Sequence, residues 1–123
     1  MLLNGCSLAM AKDMTNKNVV TVTDTAPWVF GHKSCILVNV GTQIVFNDKG
    51  IAMTFVAHPL VGGVTGVVDN TSPITIAANQ QANNKPQATQ VTIPAFSPND
   101  SGKAFPYYCT VHLSSMQGVI YVK

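Results

Sequence analysis

The chain has 123 residues, of which 46% are hydrophobic and only 10% charged, with three Cys and five Met. That length and apolar content suit one domain with a real core and exclude intrinsic disorder for most of it. A formal charge of +2 with no Lys/Arg cluster argues against a nucleic-acid partner, and no apolar run is long enough for a membrane span.

Residues 1–18 show no clean period and read as an N-terminal tail, which leaves 19–123 as the domain. Within the tail, Leu3-Asn4-Gly5-Cys6 resembles a bacterial lipobox, which implies a lipid anchor on Cys6; the other reading is an ordinary tail carrying one Cys. Val19-Val20-Thr21-Val22-Thr23 is rich in β-branched residues and is predicted as the first strand. Large apolar anchors and a turn follow at Pro27-Trp28-Val29-Phe30-Gly31. Strands are predicted over 35–40 and 43–46, the second ending in the turn sequence Asn47-Asp48-Lys49-Gly50.

The apolar run 51–57 is too short and bulky for an isolated helix. Strand-and-turn rhythm continues through Gly62-Gly63, residues 64–68 and Asp69-Asn70-Thr71-Ser72-Pro73, and 74–77 reads as a further strand. Residues 79–88, dominated by Gln and Asn, read as a surface loop. Gln90-Val91-Thr92-Ile93 alternates with period two, 94–102 is loop, and strands are predicted over 103–109 and 118–123. Many short strands with turns between them, and no amphipathic helix, point to an all-β antiparallel sandwich.

The densest chemistry lies between those final strands. Tyr107-Tyr108-Cys109-Thr110-Val111-His112-Leu113-Ser114-Ser115-Met116-Gln117-Gly118 places a thiol, an imidazole and a thioether within eight residues. These soft and borderline donors suit copper better than calcium or magnesium, and Cys-x2-His-x3-Met lets one loop wrap a single ion. Taken singly, each residue has a plainer role, Cys109 as a small buried hydrophobe and Met116 as core filler. The stretch resembles the C-terminal ligand loop of the cupredoxins, the small blue copper proteins of azurin and plastocyanin type. The resemblance implies a Greek-key β-sandwich holding one mononuclear copper ion through Cys109, His112 and Met116. It implies a protein that passes one electron by cycling Cu(I) and Cu(II) and is not an enzyme. It also implies a monomer in an extracytoplasmic, periplasmic setting, docking redox partners near His112, with Leu113 and Leu60 close by. Azurins bridge a Cys near the N-terminus to one in a Lys-Ser-Cys triplet; here Cys6 and Lys33-Ser34-Cys35 match, which implies a Cys6–Cys35 disulfide as the alternative to the lipid.

A blue-copper site needs a second His from a distant segment. His58-Pro59-Leu60-Val61 matches the family's local pattern for that ligand and is the choice taken here. Met53 competes if the shorter connection is counted, and His32, near Trp28 and Phe30, stands third. On a continuous strand, Met53 and His58 would point to opposite faces about 16 Å apart, so both cannot serve one ion without a bend. His58 is preferred because imidazole suits Cu(II), whereas one His with two Met would favour Cu(I). The rival functions are a Cu(I) carrier with a soft Cys/Met/His site, a hydrolase using Cys109 and His112 without a third orienting partner, and a metal-free sandwich. Zinc is disfavoured because no CxxC pair accompanies the motif.

Overall fold

In the computed structural model, residues 2–22, 32–47 and 54–123 are described, and these form two β-sheets and one short helix. In chain order the elements are β1 (Lys12–Asp13), β2 (Val19–Thr21), β3 (His32–Val38), β4 (Gln43–Asn47), β5 (Leu60–Gly62), α1 (Pro73–Gln81), β6 (Gln90–Ile93), β7 (Ala104–Cys109) and β8 (Leu113–Val122). The larger sheet has the order β1-β3-β8-β7-β5 and the smaller β2-β4-β6.

Period-two burial explains how the sheets meet. In β4, Ile44 and Phe46 point inward while Gln43, Val45 and Asn47 are half-exposed; in β6, Val91 and Ile93 are the inward residues. They share one core with Ile36, Val38, Tyr107, Ile120 and Val122 from the larger sheet. Phe46 meets Tyr107 edge-to-face across that core, with ring centroids 4.8 Å apart.

Three features depart from the sequence expectation. The sheets are mixed, because β1–β3, β2–β4 and β3–β8 pair in parallel. Among the described strands, β4–β6, β5–β7 and β7–β8 are antiparallel. Parallel neighbours need long crossovers, so short turn signals in a sequence do not reveal them.

Residues 74–77 belong to α1, and the polar stretch after them includes the end of that helix. Ser72 is its N-cap, accepting from the Ile74 amide, and Pro73 opens the first turn, where a missing N–H costs nothing. Ile74, Thr75, Ala77 and Ala78 are its buried residues. A hydroxyl and two small alanines blur the apolar period that would have announced a helix.

Residues 2–18 are packed onto the domain rather than trailing from it. Cys6 and Met14 are buried, β1 extends the larger sheet, and Cys6 is bonded to Cys35 with their Cα atoms 5.7 Å apart. Of the two fates open to Cys6, this structure takes the bridge, which uses the sulfur a lipid would need. Asn4 reinforces the attachment: its amide donates to the carbonyls of Gly63 and Tyr107, both at 3.0 Å, and its Oδ1 accepts from the Thr65 amide at 2.9 Å. No helix among the described residues is long and apolar enough to cross a membrane.

Candidate metal centre

Cys109 ends β7, fully buried, with strands on both sides. Its pairing partner in β5 is Leu60 and its partner in β8 is Leu113. The β7–β8 pairing steps from Tyr108–Gln117 directly to Cys109–Leu113, so residues 114–116 are taken up between two successive rungs. That irregularity opens room at the end of the hairpin. Leu113 closes the turn with φ 51°, a left-handed conformation that bulky residues rarely adopt. Residues 110–112 thereby form the turn between Cys109 and its partner Leu113. The Ser115 amide donates to the His112 carbonyl at 3.0 Å. The result is a Cys109 Sγ to His112 Nδ1 separation of 3.6 Å.

His58 arrives from a separate segment. Residues 54–57 form a turn, so the described part of the apolar run 51–57 is not a strand; Met53 lies outside the described residues. Phe55 is fully buried, and its amide donates to the Ala88 carbonyl at 3.2 Å. The His58 amide donates to the Thr54 carbonyl at 2.9 Å, and the Thr110 amide donates to the Pro59 carbonyl at 3.1 Å. Held on both sides, the buried His58 ring lies with its centroid 4.9 Å from that of His112, the planes tilted by 49°. The structure therefore gathers Cys109, His112 and His58 from two segments distant in sequence. Met116 is buried within the register step and belongs to the same core cluster as Cys109. His32 is described by its backbone alone, in β3, where it pairs with Met116.

The donor spacing suits a shared ion. Metal–sulfur and metal–nitrogen bonds of about 2.3 and 2.0 Å, meeting at a tetrahedral to trigonal angle, put the two donor atoms about 3.5–3.8 Å apart. The observed 3.6 Å falls in that interval and also serves a sulfur–imidazole hydrogen bond. Among the described residues, no group of three or more His, Cys, Asp or Glu side chains stands close enough to hold an ion unaided. A site here therefore needs the Met116 thioether, which lies outside that donor class, and a closer approach of His58.

Behind the centre the packing is tight. Tyr107 is fully buried and donates to the Ser34 carbonyl at 3.1 Å; burial pushes its phenol well above the ordinary tyrosine range, against the smaller effect of that bond. Gly118 faces this contact, and a Cβ there would run into both the Ser34 carbonyl oxygen and the Tyr107 hydroxyl. A cleft of about 450 Å³ lies at the far end of the β7–β8 pair, lined by residues including Leu8, Leu37, Lys103 and Tyr121; it carries none of the donors. Leu60, placed near a docking face by the sequence, is fully buried, whereas Leu113 is 46% exposed.

Sequence reasoning missed the residues that hold the His58 arm. Asn83 bonds both backbone groups of Leu60, its Oδ1 accepting from the amide at 3.2 Å and its Nδ2 donating to the carbonyl at 2.8 Å. It sits in a Gln/Asn-rich run where nothing distinguishes it from its neighbours. Compared with known proteins, the chain matches no family model, no curated protein and no solved structure.

Proposed function

We propose that the chain is a cupredoxin-like electron carrier, holding one copper ion with Cys109, His112, Met116 and His58 and acting on no substrate. The observation that carries this reading is the meeting of a buried thiol and two imidazoles: Cys109 Sγ is 3.6 Å from His112 Nδ1, and the His58 ring lies 4.9 Å beyond. Two imidazoles beside a thiolate suit Cu(II) as well as Cu(I), and bound copper would supply the one-electron couple.

The protein's own residues do the rest. The Cys109 thiol gives up its proton to become a ligand. Pairing with β5 and β8 fixes its backbone, so little needs to rearrange when charge changes. Half-buried His112 lies beside the exposed Val111 and Leu113, and Val56 is exposed two residues before His58. These exposed apolar side chains near the two imidazoles are where a redox protein would dock. The finer fold assigned is the Greek-key sandwich of that family, supported by two sheets on one core. An extracytoplasmic, periplasmic home is supported by the Cys6–Cys35 bridge, since disulfides persist in oxidising compartments.

The visible spectrum of copper-loaded, oxidised protein tests the reading. An intense thiolate-to-Cu(II) band is expected and should vanish in Cys109→Ser. A colourless protein that takes up only Cu(I) would favour the carrier role instead.

A further inference from the structure

Among the described strands β5 lies at the edge of the larger sheet, so its backbone groups facing away from β7 pair with no described strand. The rung beside His58 is weakened further. In an antiparallel ladder, Pro59 and Thr110 would exchange two bonds, but proline has no N–H and only Thr110 N–H to Pro59 C=O is made. One residue later, on the edge facing away from β7, Asn83 stands in for a strand. Its carboxamide engages the Leu60 amide and carbonyl as a neighbouring strand would, at 3.2 and 2.8 Å. Leu60 is the residue whose Cα pairs with Cys109.

We infer that Asn83 is a positioning residue for the metal centre, setting how far the His58 arm stands from the Cys109–His112 pair; this rests on the copper reading above. On its N-terminal side the arm is held by the His58 amide on the Thr54 carbonyl and by the Phe55 amide on the Ala88 carbonyl. Releasing Leu60 loosens the C-terminal end of that segment, and with it the setting of the His58 ring. The same helix end supplies a matched comparison. Gln81 makes the same two-bond clasp on Thr92 of β6, an edge of the smaller sheet, with both bonds at 2.8 Å. No donor residue lies on β6. Loss of the Gln81 clasp should cost stability, whereas loss of the Asn83 clasp should cost stability and site geometry together.

The test compares Asn83→Leu, Asn83→Asp and Gln81→Leu in the full chain. In metal-free protein, the ring NMR signals of His58 and His112 and the contact between the rings are followed. In copper-loaded protein, the thiolate band and Cu(II) affinity are measured. Asn83→Leu should shift the His58 signals, weaken the ring contact and lower Cu(II) affinity about tenfold or more, as loss of outer partners of metal ligands does. Asn83→Asp keeps the acceptor toward the Leu60 amide and loses the donor to its carbonyl, so it should give an intermediate shift; it also serves if the leucine variant does not fold. Gln81→Leu should lower the melting temperature while leaving ring signals and band in place. The inference is overturned if the Asn83 variants leave the His58 signals unmoved, or if Gln81→Leu moves them as much. A wild-type protein that binds no copper would sink the metal reading alone, because the ring signals still decide what Asn83 does.

Discussion

The sequence favours His58 over Met53 as the candidate from outside the loop, on the pattern His58-Pro59-Leu60-Val61 and on the suitability of imidazole for Cu(II), and the structure brings its ring beside His112. The loop residues were legible because Cys109, His112 and Met116 lie within eight positions, where spacing alone limits geometry. The partner from the other segment was legible only through its neighbours Pro59 and Leu60, since nothing local encodes a meeting across that distance. His58→Ala should weaken Cu(II) binding and shift the thiolate band, with added imidazole restoring part of the spectrum; Met53→Ala should do far less, and the reverse pattern would make Met53 the ligand. Tyr107 gives a second expectation, set by pH. Because its phenol titrates higher when folded than when unfolded, its contribution is complete below about pH 10 and is lost as pH rises beyond it. Alkaline melts above pH 10 should therefore show Tyr107→Phe losing less stability per pH unit than wild type, even though the variant starts about 1 kcal/mol lower for want of the bond to Ser34.

At the scale of elements, β2, β4, β6 and β7 were legible as strands because β-branched and aromatic residues dominate them. β8 was read only from Gly118 onward; its first residues, Leu113 to Gln117, carry the register step and show no clean alternation. The helix was missed for a different reason. Ile74 and Thr75 favour strands by propensity, and the Ser72-Pro73 start signal was read as the end of a turn. What tertiary packing gains from a helix here is edge protection. Thr75 Oγ1 accepts from the Gly62 amide at 2.7 Å, while Asn83 and Gln81 clasp Leu60 and Thr92. Gly118 shows the opposite case, a position fixed by steric necessity within a strand. Gly118→Ala should destabilise the fold by about 2–3 kcal/mol, because the added methyl displaces the Tyr107 hydroxyl or separates β3 from β8. Chemical denaturation of the two proteins checks this, and a change below about 0.5 kcal/mol would mean that the strands yield without cost.

For the molecule as a whole, the bridge between Cys6 and Cys35 ties the N-terminal segment to a central strand. It closes a loop of sequence separation 29, for which the chain-entropy model gives about 3–4 kcal/mol. Replacing both cysteines by alanine should lower the melting temperature by on the order of 10 °C. The thiolate band should survive, since Cys109 is the remaining thiol. The strand order has a further consequence, one of timing. β3 and β7 flank β8 in the larger sheet, and β3, already paired with β1, finds its second parallel partner only when residues 113–122 exist. On a ribosome, β3 would wait with one edge open through the making of β4 to β7, a long exposure for a strand of this kind. Such distant pairing slows folding, because the entropy of closing the chain is spent before the contacts repay it. The turn that carries His112 joins β7 to β8, so the strand that completes the sheet also completes the site. On the copper reading proposed above, a nascent chain therefore has no assembled centre to offer a metal ion before it has closed its sheet.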